Sequence, residues 1–284
     1  MTTTQDKYNR TSEQIRLHYE TEKRLAQRLR QSTKAERQHL YSEVYDELYR
    51  TITFEPLVER SKNAEAQAWV ANYRMDLLRP FLSPEKTYGE VGPGDCCVAL
   101  AVQPLVKKVY AIDVSAEISK SVTFPENFEL VLFDGCNIPL PDNSLDVAYS
   151  NQVIEHLHPD DAADQIKSIY QKVAPGGYFI CITPNRLSGP HDISQYFDQV
   201  ATCFHLKEYT TTELYHVLRD AGFQRVWLYK SRKTQNIKIP LNGVTLPIIS
   251  LLESVTDLLP FALKRKVASL PLLFRSITLV SQKR

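Results

Sequence analysis

Thr87-Tyr88-Gly89-Glu90-Val91-Gly92-Pro93-Gly94-Asp95 is the stretch that decides the fold. Its first half has the composition of a buried strand, Gly92 and Gly94 make a tight turn, and Cys96-Cys97-Val98-Ala99-Leu100-Ala101-Val102 continues as an apolar helix. Strand, turn and helix form a nucleotide-binding edge. Without a Cβ at Gly92 and Gly94 the chain turns sharply and lets a ligand come close to its amides. Glu90, at the strand end, selects that ligand: a carboxylate repels a phosphate and faces either an ammonium group or a pair of hydroxyls. No Gly-Lys-Ser/Thr follows the turn, so a P-loop has no support. The dinucleotide fingerprint fails as well, because its third glycine position falls on Cys97.

Outward from this turn the chain alternates strands and helices. A second strand, Lys108 to Asp113, ends in an acid nineteen positions beyond Gly94, where a βαβ unit returns to the ligand edge. Asp113 can take both hydroxyls of a ribose there; it can equally cap a helix begun by Val114-Ser115-Ala116-Glu117. A third strand, Phe128 to Phe133, delivers Asp134-Gly135, and a fourth, Leu145 to Ser150, empties into Asn151-Gln152-Val153-Ile154-Glu155-His156-Leu157-His158. A helix capped by Asp160 or Asp161 follows, and Pro175-Gly176-Gly177 turns the chain into a fifth strand, Tyr178 to Thr183. Single-crossover spacing of this kind predicts a doubly wound α/β fold with its ligand at the strand carboxyl ends.

These pieces resemble the class I S-adenosylmethionine-dependent methyltransferases, over about residues 63–229. Glu90-Val91-Gly92-Pro93-Gly94 is similar to the first motif of that family, and Ile138-Pro139-Leu140-Pro141-Asp142-Asn143-Ser144-Leu145-Asp146 to what a large small-molecule subfamily, the type 11-like domains, carries before its fourth strand. Ser150 to His156, Pro175-Gly176-Gly177 and Thr183-Pro184-Asn185 complete the order. The resemblance implies a seven-stranded Rossmann-like sheet and S-adenosyl-L-methionine as cofactor. It places Glu90, Gly92 and Gly94 at the methionine end, Asp113 on the ribose, Asp134 and Gly135 at the adenine, and Asn151 and Gln152 beside them. Cys96 departs from the pattern at the third glycine. A minority of relatives bind a divalent ion through Glu-x-x-Glu-His after the fourth strand; here Gln152 replaces the first acid, so no metal is expected.

The remainder reads as additions to this core, divided as an N-terminal helical extension (1–62), the cofactor-binding core (63–230), a helical insertion (231–274) and a last strand (275–284). Thr33-Lys34-Ala35-Glu36 and Thr210-Thr211-Thr212-Glu213 have the form of capping boxes. Tyr41, Tyr45 and Tyr49 lie four apart, either a buried helix face or a substrate box. Residues 230–284 hold ten basic and two acidic residues, a net +8 against +1 for the whole chain. Within 241–271, Ile248, Leu251, Leu252, Val255, Leu258 and Leu259 fall at helical spacing ahead of Lys264-Arg265-Lys266. That face either packs on the N-terminal helices or touches a membrane surface; the apolar run is too short to span.

At 284 residues, 43% hydrophobic and 24% charged, the chain has the make-up of a globular protein with a full core. Five scattered cysteines without a C-x-x-C pair suit a reducing compartment, and Met1 to Arg10 lack the apolar core of a signal peptide, so a cytoplasmic location is expected. No basic, aromatic-interleaved element points to nucleic acid. A small-molecule methyl acceptor, apolar or lipid-linked, is the expected partner. An oxygen nucleophile would want a base near neutral pH, and His158, His191 and His205 are the candidates. Two other classes stay open, a cofactor-binding module without turnover and a nicotinamide-dependent dehydrogenase.

Overall fold

The computed structural model describes residues 6, 8–120, 122–232, 235–270 and 272–284, with the backbone alone at 231, 232, 235 and 236. Part of the polar start, the first residues of the expected insertion at 233–234, and Pro271 at the end of the 241–271 tract lie outside the described residues. Helices α1 (Ser12–Gln31) and α2 (Lys34–Thr51) each open on a capping box, Thr11 with Gln14 and Thr33 with Glu36. The short α3 (Pro56–Ser61) and α4 (Ala64–Leu78), capped by Asn63, lead into β1 (Thr87–Val91) and α5 (Cys97–Val102). Then come β2 (Lys108–Asp113), β3 (Phe128–Leu132), β4 (Leu145–Asn151), α6 (Pro159–Lys172) and β5 (Val173–Pro184). The chain ends with α7 (Thr211–Asp220), β6 (Arg225–Arg232), β7 (Gln235–Pro240), α8 (Thr245–Asp257), α9 (Phe261–Ala268) and β8 (Ser276–Gln282).

The strands form one sheet in the order β3-β2-β1-β4-β5-β8-β6-β7. The first five run parallel, and β8 lies antiparallel between β5 and β6. The sheet therefore has eight strands rather than seven: β7 folds back on β6 as an antiparallel edge hairpin, so the segment expected to be helical begins with a strand. Strand order reverses between β1 and β4, which opens a crevice at their carboxyl ends.

Alternate side chains along each strand feed two cores. Ile180 and Ile182 of β5 face Met75, Leu78 and Val102 on one side, whereas Phe179 and Cys181 face the layer of α6 and α7 on the other. α1 and α2 belong to that second core, where Leu25, Leu29, Val44 and Leu48 are nearly or fully buried. Among the described residues no helix occupies 114–127 or 133–144, and Gly135 in the second gap lies so close to Tyr41 that a Cβ there would meet its ring at 2.9 Å. α2 thus fits where a crossover helix is missing.

Two local expectations change. The cap of α6 is His158, whose Nδ1 accepts from the Asp160 N–H at 3.3 Å with Pro159 in the first turn; Asp160 and Asp161 fall inside the helix. The apolar face of α8 does not pack on the N-terminal helices. α8 rests on α7, α9 and the 3-10 turn at Arg186–Ser188, and its apolar side chains point outward.

Candidate active site

The glycine turn is built as its sequence requires. Gly92 has φ +66° and Gly94 φ +54°, the left-handed region in which a Cβ is strained. At Gly92 a Cβ would also sit 2.5 Å from Val153 Cγ2. Cys96 takes φ +59°, which explains why a glycine suits that position: a side chain there costs about 1–2 kcal/mol. Asp95 ties the turn to α3 through a paired bond with Arg60, at 2.8 and 3.0 Å. Burial alone would raise the Asp95 pKa; the Arg60 guanidinium outweighs it and holds the carboxyl below its usual range.

Two further carboxylates have no such cation. Glu90 is buried, accepts from the Tyr88 hydroxyl at 3.0 Å, and is pushed up to about 8 by burial despite that bond. Folding thus favours its protonated form, and its contribution to stability declines as pH rises toward 8. Asp113 is pushed up to about 6 by burial, with the N–H groups of Ser115 and Val114 pulling the other way. Those bonds, 2.7 Å from Val114 and 3.2 Å from Ser115, both use Oδ1. The Gly94 N–H also bonds this carboxylate, which ties the glycine turn to the end of β2, and no helix follows directly for Asp113 to cap.

These groups line a cavity of about 850 Å³ at the strand carboxyl ends, within the size range of cofactor sites. Glu90, Gly92, Gly94, Asp113, Asn151 and Gln152 are all in its wall. Asp134 and Gly135 are not among the lining residues. The Asp134 carboxylate closes its own turn, accepting from Cys136 N–H at 2.8 Å, Asn137 N–H at 2.6 Å and Asn137 Nδ2 at 2.8 Å. The Gly135 carbonyl accepts from Gln165, which does reach the wall. Asn151 Oδ1 is buried in the wall without a partner. A buried carboxyl without a paired cation, a second carboxylate in the cavity wall and an orphaned amide oxygen beside a glycine turn fit S-adenosylmethionine, which carries an ammonium group, ribose hydroxyls and amino hydrogens.

Much of the remaining lining comes from the N-terminal helices. Tyr45 and Tyr49 of α2, Phe54, His156, Phe204 and Glu22 of α1 belong to it. Tyr45 packs 5.1 Å from Phe204 and 5.9 Å from Tyr49, centroid to centroid. The tyrosine repeat is therefore both alternatives at once: all three tyrosines reach the cavity wall, and Tyr41 is at the same time part of the buried core. Burial drives both cavity phenols well above their ordinary pKa, so they stay neutral.

None of His158, His191 and His205 lines the cavity; His156 does. His158 is the cap of α6. His191 Nε2 lies 3.0 Å from Ser188 Oγ and 3.1 Å from the Asn185 carbonyl. His205 is buried with Nδ1 2.7 Å from Glu208; burial opposes its charge, but Glu208 and Glu155 prevail and hold it at about 9. Its ring stands edge-on to His156 at 4.9 Å. His156 is held neutral, well below the ordinary range, by burial and then by His205, and its Nδ1 is buried without a partner. Glu155, His156 and His205 bring ligand atoms within 4.8 Å of one another, a grouping the missing acid at Gln152 had argued against. His156 stood in the stretch after the fourth strand, but spacing alone did not show that it faces inward.

The family model described as Methyltransferase domain matches residues 89–181. A probable S-adenosylmethionine-dependent methyltransferase of Mycolicibacterium smegmatis is 39% identical over 87 residues, 31% of this chain and 32% of the relative. One from Mycobacterium tuberculosis is 31% identical over 136 residues, 47% of each chain. The chain thus spans less than half the length of the curated relatives it matches. Among solved structures, a putative methyltransferase of Haloferax volcanii in complex with the Trm112 activator has a TM-score of 0.55 at 18% identity, covering 78% of this chain and 92% of that one. The [4+2]-cyclase SpnF has 0.54 at 16%, covering 87% and 96%. At that identity the likeness is one of fold. Over residues 89–181 the chain is similar to the methyltransferase domain, and its motif order and sheet topology agree with that likeness.

Proposed function

We propose that the chain transfers a methyl group from S-adenosyl-L-methionine to a small-molecule acceptor held against the aromatic wall. The observation that carries this reading is one cavity whose wall contains both Glu90, the glycine turn and Asp113 and the rings of Tyr45, Tyr49, Phe204 and His156. Glu90 would hold the amino group and Asp113 the ribose, with Asn151 and Gln152 completing that side. When bound, the cofactor supplies an electrophilic methyl group. The chain's own part is to align the acceptor in line with it, and proximity can contribute roughly 7–11 kcal/mol. The aromatic wall would exclude water and orient the acceptor, and His156, a neutral imidazole in the cavity lining, would receive its proton.

The acceptor's class follows from charge. Glu22, Glu55, Glu59, Glu90, Asp95 and Asp113 line the cavity against one lining cation, Arg60, already paired with Asp95. Acid side chains without a free cation among them offer a phosphate backbone no partner, which supports a small molecule over nucleic acid. The core would comprise 63–230 and 275–284, with 1–62 closing the acceptor side. No helix among the described residues is long and apolar enough to cross a membrane. The five buried free cysteines support a cytoplasmic setting.

Replacing Asp113 with alanine should weaken S-adenosylmethionine binding about ten- to hundredfold, the worth of a charge-assisted hydrogen bond, in a protein that still folds. Unchanged affinity would remove Asp113 from the site. Turnover is tested by incubating the chain with methyl-labelled S-adenosylmethionine and a small-molecule cell extract. Label appearing in a small molecule supports transfer; tight cofactor binding without label in any acceptor supports a binding module instead.

A further inference from the structure

α8 is mounted inside out. Its inward positions are Ile249, Glu253 and Thr256, and the two polar ones are buried. Glu253 gives one carboxylate oxygen to the Thr211 N–H at 2.6 Å and the other to the Thr212 N–H at 3.2 Å. It thereby caps α7, where a negative charge meets the positive end of the helix dipole. This anchor fixes the rotation of α8 and turns Ile248, Leu251, Leu252, Val255 and Leu258 outward, at 55, 65, 50, 54 and 86% exposure. Those positions fall at i, i+3, i+4, i+7 and i+10, one continuous ridge. Leu263 of α9 and Leu270 beyond it are also half exposed.

Cations follow the ridge in the chain, on α9, which packs against α8, and just before β8. Asp257, at the end of α8, is paired with Arg186 and Lys264 at 3.0 Å each, which leaves Arg265, Lys266 and Arg275 without a carboxylate among the described ion pairs. The only other acid after residue 230 is Glu253, turned inward. An apolar ridge with a one-sided cationic margin complements an anionic lipid surface better than it complements itself, since two copies would bring like charges together.

We propose that α8 and α9 dock this chain on anionic membrane surfaces, Leu251, Leu252, Val255 and Leu258 entering the interface while Lys266 and Arg275 meet the headgroups. Both helices pack against the 3-10 turn at Arg186–Ser188, directly after the carboxyl end of β5. The docked face is therefore braced on the same edge of the sheet as the cavity. Docking does not depend on methyl transfer.

Cosedimentation of the whole chain with vesicles of phosphatidylcholine, with and without phosphatidylglycerol, tests this. The chain should pellet with the anionic vesicles at low salt and be released as salt rises. The double variant Lys266→Glu, Arg275→Glu should bind at least roughly thirtyfold more weakly. Leu251→Asp with Leu258→Asp should weaken binding roughly tenfold or more, with the circular dichroism spectrum and S-adenosylmethionine affinity of the wild type. No binding to anionic vesicles at low salt, or binding undiminished in both variants, would overturn docking. So would a wild-type dimer in sedimentation equilibrium that Leu258→Asp converts to monomer, because the ridge would then belong to a second copy.

Discussion

Replacing His156 with phenylalanine should slow methyl transfer by roughly 100- to 10,000-fold, the usual contribution of a positioned general base, and leave S-adenosylmethionine affinity nearly unchanged. Phenylalanine keeps the ring that packs against Tyr45 and His205, at 6.2 and 4.9 Å between centroids, and removes only the nitrogens. The Nδ1 atom is the buried, unpartnered one. Because burial keeps the imidazole neutral, it is ready to accept a proton across the physiological range. His205→Gln should act more mildly, through the setting of the His156 ring, since His205 is outside the cavity wall and engaged with Glu208. A rate for His156→Phe within about threefold of wild type would mean that alignment alone drives the step, or that the acceptor's nucleophile needs no base.

Asp161→Ala should destabilise the fold by about 3–5 kcal/mol, because it leaves the buried Arg37 with only the Ser32 carbonyl at 2.6 Å and the exposed Asp160 at 3.9 Å. Arg37 of α2 and Asp161 of α6 are 3% and 1% exposed at the side chain, and the Arg37 NH2 group bonds Asp161 Oδ1 at 3.0 Å. The Tyr41 hydroxyl donates to the same carboxylate at 2.7 Å and itself accepts from the His158 N–H at 2.9 Å. This cluster fastens the N-terminal helices to the sheet, and α2 carries Tyr45 and Tyr49, so the acceptor wall should loosen with it. A melting temperature lower by roughly 6–20 °C is the expected readout. Replacing both partners by apolar residues, Arg37→Met with Asp161→Leu, should recover more than half of the loss. A single-variant cost under about 1 kcal/mol would class the pair with solvent-screened ones.

The parts of this protein legible in the sequence are those where backbone geometry leaves few choices. Gly92 and Gly94 announce a left-handed turn, the capping boxes at Thr33 and Thr210 announce helix starts, and the strand spacing from Tyr88 to Thr183 announces the parallel sheet. Long-range facing is what periodicity does not carry. His156 and His158 are two residues apart, and only the docking of α1 and α2 decides that the first lines the cavity while the second caps a helix. Tyr45 and Tyr49 become cavity wall because 133–144 supplies no helix of its own. Asp134 was placed at the adenine by resemblance, but its carboxylate closes a local turn, a competition that Asp and Asn settle within a few residues. The outward roll of α8 depends on one contact, Glu253 with α7, forty-two residues from Thr211 in the chain.

Calorimetric titration of the whole chain decides whether the crevice between β1 and β4 binds S-adenosylmethionine. One molecule should bind per chain, with a saturable heat that Asp113→Ala weakens. A folded protein that gives no saturable heat with S-adenosylmethionine, or binds it no more tightly than NAD, would contradict this assignment.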